Sequence, residues 1–417
     1  MATLPTDIIT DILSRLPSKS LCRFICVGKS WNSLINDPSF ITLHHNFSLN
    51  SKNPNLIICH DSLSISEIPA NNHHTLRFSD LDHPVNHLPD YATVQFLGSC
   101  NGILCISDRY KKTLFLYNPC TKTQRLIPPV PSSIPDDNDP LLTNYNPLVY
   151  KQVDHITVFG FGFDSGSDDY KLLRVVERYE ERVQMGREVR LYSLKNNSWK
   201  RVSDELIYYP NQPFDGIHVN GVLYFLVTNE GGTAMVKCFD LKTEIFSVLA
   251  MFDYDRDCDN HNFVFCDLKG CFGVMANYLK HDYNMPYGWK LGRADLWVRK
   301  EIGKKECWVR LFSISDPVRI RNVSNIRPVV YSKDGGRILL EFSGSMFFWY
   351  DWVSNKFESV EATGLPHEEP FDTYAFVGSL VSLATDKKKT TVKTVPKKNT
   401  HKKNSGGFLS TGFKLRL

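Results

Sequence analysis

The 417 residues carry 49 Lys and Arg against 45 Asp and Glu, a formal net charge of +4, with 42% apolar and 23% charged residues. This balance excludes a wholly disordered chain, and no apolar run approaches the roughly 18 residues that a membrane helix needs. The excess charge is local: residues 386–417 hold ten basic residues and one acid, leaving 39 basic against 44 acidic residues and a net charge of −5 for the rest, which argues against a fold built to follow phosphate backbones.

The 11 cysteines are odd in number and follow no framework spacing, and the N-terminus does not read as a signal peptide, so an intracellular protein with reduced thiols is expected, cytoplasmic or nuclear. Cys22/Cys26, Cys100/Cys105 and Cys266/Cys271 lack the paired spacing of a zinc site, and neither metal nor cofactor is expected.

The first forty residues read as a helical hook. Ile8, Ile9, Ile12, Leu13 and Leu16 recur at helical offsets, Pro17 stops that helix, and Ser18 is placed to cap a second one carrying Leu21, Phe24 and Ile25. A third helix runs from Lys29 to Ile35 with Trp31, Leu34 and Ile35 on one side, and Asn36-Asp37-Pro38 supplies turn chemistry after it. Three short helices bury little by themselves, so a partner surface is expected.

These residues, from Leu4-Pro5, Asp7 and Ile8 through Leu16-Pro17, Ser20-Leu21 and Lys29-Ser30-Trp31 to Pro38, resemble the F-box of plant F-box proteins. The resemblance implies docking onto a Skp1-type adaptor and through it a cullin. Leu4, Pro5, Ile8, Ile12, Leu13, Leu16, Pro17, Leu21, Val27 and Trp31 are then the positions shared between adaptor contact and internal packing, a division that the sequence leaves open. A helical cap on the chain's own sheet domain is the alternative.

Residues 46–55 gain turn formers and read as a linker, with the hook taken as 1–45. From Leu56 onward a theme repeats: a Gly-bounded apolar strand, a second strand, a polar turn and a strand closing on an aromatic. The anchors Tyr117, Tyr192, Phe239, Trp297 and Tyr350 are spaced by 75, 47, 58 and 53 residues, against about 50 for a kelch blade. Radially stacked repeats bury a continuous core that no single repeat could, so residues 56–385 are expected to form an all-β propeller of six blades. One blade would pair the stretch after Leu56 with residues 373–383 and close the ring.

Asn101-Gly102, Tyr117-Asn118-Pro119, Phe161-Gly162-Phe163-Asp164, Asp169-Tyr170-Lys171, Ser198-Trp199 and Val330-Tyr331-Ser332 look like the plant F-box-associated interaction domain, also described as kelch-like. Residues 387–404 are a Lys/Thr tract within a basic low-complexity tail, 386–417, expected to be disordered. The last ten residues look like the C-terminus of the plant F-box branch named for constitutive expression of pathogenesis-related genes. That likeness implies a link to defence and immune-receptor turnover.

Gly160 and Gly162 open no helix and read as strand glycines that let another chain segment approach. His44-His45 and His73-His74 read as solvated loop pairs, and no nucleophile elbow is present. Recognition therefore falls to loops: 128–154, 252–262 and 278–293, the last with Tyr283, Met285, Tyr287 and Trp289 as candidate substrate contacts. The combined expectation is a non-catalytic substrate-recognition subunit of a Skp1–cullin–F-box ubiquitin ligase. The rival is a stand-alone propeller binding module, lectin or enzyme.

Overall fold

The computed structural model describes residues 5–50, 54–68, 75–88, 93–108, 110–131, 153–180, 183–203, 209–210, 215–229, 232–255, 260–283, 288–302, 305–315, 323–365 and 370–383. The basic tail 386–417 and the His73-His74 pair lie outside them.

The hook contains helices α1 (Thr6–Ser14), α2 (Ser18–Phe24), α3 (Lys29–Ile35) and α4 (Pro38–Asn50). Pro5 and Pro17 stand just before α1 and α2, where a locked φ and a missing N–H cost nothing. Gly28 takes the N-cap of α3 in extended backbone, so it interrupts no helix. Several expectations need correction here. Ser18 makes no capping bond; it is buried, and its hydroxyl faces Cys120 of the propeller.

The hook also has four helices and not three, and α4 covers the first half of the expected linker 46–55. Asn36-Asp37-Pro38 ends α3 after Ile35 as expected and also starts a further helix, because Asp37 Oδ1 accepts the Ser39 N–H at 2.9 Å while Pro38 opens the first turn. The apolar periodicity of α4 is hidden because one of its buried positions is a histidine. His44 is fully buried with Nε2 2.9 Å from the Leu16 carbonyl oxygen, and His45 Nε2 lies 3.1 Å from Asn101 Oδ1, so neither is a solvated loop residue. Leu13, Leu21, Ile35 and Phe40 form the hook's core, and Leu380 from the far end of the chain completes it.

Six antiparallel sheets follow, in chain order after a first blade whose innermost strand comes last. That blade sets Asp372–Phe376 beside Asn55–Cys59, then Leu63–Glu67 and Ser79–Asp80. The second runs Val94–Cys100, Ile103–Asp108, Leu114–Asn118, Thr123–Leu126, and the third Val153–Asp164, Asp169–Glu180, Val183–Ser193, Ser198–Arg201. The fourth centres on Val222–Thr228, Ala234–Asp240 and Ile245–Ala250, with Ile217–Val219 inside. The fifth is Asn260–Leu268, Cys271–His281, Trp289–Ile302, Lys305–Ile314. The sixth is Ile326–Tyr331, Ile338–Phe342, Met346–Asp351, Lys356–Thr363.

All five aromatic anchors fall on the third strand of their blade. Tyr117, Tyr192, Phe239 and Tyr350 are buried there. Trp297 is displaced by a bulge between Leu296 and Trp297 and stacks instead on Phe252, ring centroids 4.4 Å apart.

Ring closure joins Asn55–Cys59 to Asp372–Phe376, with Ile57 opposite Tyr374. A second closure adds Thr75–Arg77 in parallel to Lys356–Thr363 of the sixth blade. Beyond Phe376 the chain passes beneath the second blade. Asn118 Nδ2 donates to the Ser379 and Val381 carbonyls at 3.2 and 2.7 Å, and the Leu383 N–H donates to Thr123 Oγ1 at 3.0 Å. Gly102, in a turn at φ +76, meets Ser379 so closely that no side chain would fit.

The Phe161–Asp164 and Asp169–Lys171 motifs form a staple between the third and fourth blades. Lys171 Nζ donates to Asp164 Oδ2 at 2.9 Å, to the Leu241 carbonyl at 2.7 Å and to Glu244 Oε1 at 3.0 Å. Gly162 leaves room for His218 and Leu241 of the next blade, as expected of a strand glycine. Removing one partner of such a buried pair leaves a charge without compensation, so Lys171→Met is expected to cost about 3–5 kcal/mol in denaturant unfolding.

Burial alone would raise the Asp164 pKa, yet hydrogen bonds from Ser167, Lys171 and Gly166 bring it down to about 2. A folded value below the unfolded one contributes stability that is complete above about pH 4 and is lost as pH falls towards 2. Asp164→Asn should therefore melt below the parent at neutral pH, with the gap closing in acid; a gap that stays constant down to about pH 2 would refute the assignment.

Candidate docking and recognition surfaces

Because successive strands in each blade are antiparallel, every turn between the first and second strands, and between the third and fourth, lies at one end of the ring. The hook sits at that end. His45 meets Asn101 in a first-to-second turn, Ser18 meets Cys120 in a third-to-fourth turn, and Leu380 enters the hook's core. The hook is thus packed on its own propeller, which supplies part of the surface that three short helices lack.

One face stays uncovered. Ile8 and Ile12, one turn apart on α1, are 47% and 50% exposed, and Val27 is 64% exposed. Pro5 and Pro17 are exposed with them, whereas Leu13 and Leu21 are buried and Leu16 and Trp31 half-buried, Trp31 edge-on to Phe24. The division that the sequence leaves open is therefore made by the fold: Leu13 and Leu21 hold the hook together, while Pro5, Ile8, Ile12, Pro17 and Val27 present themselves outward. Leu4 lies outside the described residues. A groove of about 530 Å³ between α1, α3 and α4, floored by Leu34 and Phe40, lies on the same helical unit.

The opposite end carries the second-to-third hairpins and the blade-to-blade connections, and the described residues of the three expected recognition loops map there. Two of them touch. Arg293 Nη2 of the fifth-blade hairpin reaches Asp255 Oδ2 at 3.2 Å, its guanidinium stacking on Tyr278 at 4.3 Å. At the hairpin tip Tyr283 is 92% exposed and stands edge-on to His281, which in turn is edge-on to Trp289. Met285 and Tyr287 lie outside the described residues, as does 132–152, most of the third loop.

Between the two ends runs a central channel of about 1630 Å³ lined by the inner strands. Its one Cys–His contact among the described residues, Cys100 Sγ to His218 Nδ1 at 3.4 Å, is not a nucleophile pair. The Gly221 N–H donates to His218 Nε2 at 3.0 Å, which puts the proton of the neutral ring on Nδ1. Burial lowers the His218 pKa to about 4 and raises that of the Cys100 thiol, which leaves a neutral imidazole beside a thiol and no thiolate.

At the channel mouth opposite the hook, Arg327 pairs with Asp372 and lies 3.6 Å from Glu341, and Lys111 pairs with Asp215 at 3.1 Å. Sequence reasoning misses this group because ring closure assembles it from distant positions. A signal exists nonetheless: Glu341 interrupts an otherwise apolar strand, Ile338–Phe342.

Residues 1–44 match the F-box-like family, and residues 55–382 match the family described as the F-box associated beta propeller domain. The chain belongs to the F-box-associated propeller family. Its relatives include the F-box protein CPR1 of Arabidopsis thaliana, 28% identical over 91% of this chain and 89% of that one. An F-box/kelch-repeat protein of the same plant is 27% identical over 82% of this chain and 86% of its own. A further Arabidopsis thaliana F-box protein is 29% identical over 91% and 92%. The family motifs have structural work to do here: Asn118 ties down the closing segment, and Asp164 with Lys171 joins two blades.

Proposed function

We propose that this F-box-associated propeller protein is the substrate-recognition subunit of a Skp1–cullin–F-box ubiquitin ligase, with the hook's outward face docking the adaptor and the far end of the propeller holding a protein substrate. The observation that carries this reading is the placement of two uncovered surfaces, Ile8/Ile12/Val27 and the Tyr283 hairpin, at opposite ends of one compact unit. Such a subunit performs no bond chemistry. It raises the local concentration of a substrate lysine near a ubiquitin-loaded enzyme, converting a bimolecular encounter into a local one. The cytoplasm or nucleus is the compartment where this complex would act.

The test is capture of ubiquitin-bearing proteins by the full chain under proteasome inhibition. Replacing Tyr283 and Trp289 by alanine removes aromatic contacts of the type that cost about 2 kcal/mol or more at interface hot spots, so substrate capture should fall on the order of thirtyfold. Adaptor and cullin recovery should stay unchanged. Loss of the adaptor with retention of the captured proteins would reverse the assignment of the two ends.

A further inference from the structure

Charge is unevenly spread over the folded body. The fifth blade, residues 260–314, carries nine Lys and Arg against five Asp and Glu, a net +4, whereas the rest of residues 1–385 carries 30 against 39, a net −9. Register gathers the excess onto one face. Tyr278, Trp297 and Trp308 pack in the cluster between the fourth and fifth blades. Their cross-strand partners Arg293, Arg310 and Arg299 therefore lie on that face, and so does Lys280, two residues beyond Tyr278, with its partner Lys290.

The acids on this face do not balance the bases. Asp295 is buried, and Arg293 Nε and Arg310 Nη1 converge on its Oδ2 at 3.4 and 3.7 Å. Asp255 meets Arg293 at 3.2 Å and Asp282 meets Lys290 at 2.8 Å. Lys280 is exposed, has no ion-pair partner among the described residues and stands directly opposite Lys290, a pairing of like charges that costs stability in a sheet. The Arg310 side chain is 53% exposed.

Both cations are held in place by packing. A bulge inserts Gly292 into the third strand, and a Cβ there would meet Lys280 Cε at 3.0 Å, so the lysine stem lies across the glycine. The Arg310 guanidinium is 5.8 Å from the centroid of the Trp297 ring, which is itself stacked on Phe252. From Lys290 to Trp297 the strand runs about 20 Å, the length of an extended segment of six or seven residues. Alternate side chains of such a segment share one face, so acids at every second position meet the whole stripe.

We propose that the face of the fifth blade turned towards the fourth binds an extended acidic segment, whose carboxylates meet Lys280, Lys290 and Arg310. A nucleic-acid strand is a poorer fit, because Asp255 and Asp282 stand among the cations and a polyphosphate running past the stripe meets the negative remainder of the body. The proposal deepens the substrate-receptor reading and rests on it for the source of the segment, the captured protein. Binding of the segment itself is measured without adaptor or ubiquitin.

The experiment follows the fluorescence anisotropy of labelled, capped octapeptides on the full chain: one alternating serine and glutamate, its glutamine counterpart, and an eight-nucleotide oligothymidylate of the same label. Three exposed ion pairs at about two- to threefold each multiply to about tenfold, so the glutamate peptide should bind about tenfold more tightly than the glutamine peptide at low salt. The difference should shrink as salt is raised. Lys280→Glu should bind the two peptides about equally. Arg310→Gln should lose about two- to threefold of the preference, and it covers the case in which Lys280→Glu fails to fold. Lys356→Gln, which removes the same charge from the sixth blade, should bind as the parent does.

Equal binding of the two peptides by the parent, or a preference that survives both Lys280→Glu and Arg310→Gln, overturns the proposal. Oligothymidylate binding more tightly than the glutamate peptide would identify a nucleic-acid site and overturns it as well. If the glutamate preference is absent while alanine at Tyr283 and Trp289 still abolishes substrate capture, this inference fails alone. If the preference holds while capture ignores those alanines, the acidic-segment site stands and the substrate-receptor reading of the hairpin fails.

Discussion

Deletion of residues 373–383 is expected to abolish the cooperative thermal transition of the entire propeller and hook. This segment is the innermost strand of the first blade, the strap under the second blade and a wall of the hook's core. Its removal strips Asn55–Cys59 of its ladder partner and opens that strand's edge at the seam of the ring. Phe376, Leu380 and Leu383 are each buried, and losing three such side chains forfeits roughly 5–9 kcal/mol at about 1.5–3 kcal/mol apiece. Against a typical total of about 5–15 kcal/mol, little margin is left for a native state. Calorimetry of the deleted chain should show no sharp endotherm, while Phe376→Ala, a loss of about 3–5 kcal/mol, should fold with a lowered midpoint. A deletion variant melting at the parental temperature would mean that the ring closes by the parallel Thr75–Arg77 strand alone.

The blade count and the closing pair were readable because they rest on the strongest pattern in the chain, an aromatic recurring on the third strand of successive blades. The anchors mark where the sheet surface turns inward, and at Tyr117, Tyr192, Phe239 and Tyr350 alternation then fixes which residues face the neighbouring blade. Where the pattern misleads, a local geometric event is responsible. A bulge turns Trp297 away from the equivalent position, and α4 hides behind a buried histidine whose ring nitrogen satisfies a helix-end carbonyl.

The hook's outward and inward residues were legible as a set but not as two sets, because apolar periodicity reports a helix face and not what covers it. Ile8 and Leu13 are equally apolar, and only the packing of α4 and Leu380 separates them. The channel mouth was the least legible. Its residues come from positions as far apart as 111 and 372 and belong together only after the last strand has closed the ring.

That separation gives the sharpest test of the hook. Ile8→Asp and Ile12→Asp should abolish adaptor binding while leaving the melting temperature within a degree or two of the parent, because both side chains are about half exposed and lean on nothing essential in the free chain. On docking, each aliphatic contributes about 1.5–3 kcal/mol, and a carboxylate carried into the interface without a partner costs more, so affinity should drop at least on the order of a hundredfold. Leu13→Asp and Leu21→Asp should behave in the opposite order. They place a charge in the core shared with Ile35, Phe40 and Leu380, so the hook should unfold first and adaptor binding should vanish as a consequence. Leu16→Asp, at a half-buried position, should lose both to a partial degree. Adaptor titration and thermal melts on the same five variants decide between the two classes. Undiminished co-purification of Ile8→Asp and Ile12→Asp with the adaptor would place the docking face elsewhere on the hook, and a fall in their melting temperature equal to that of Leu13→Asp would show that the exposed face is part of the fold.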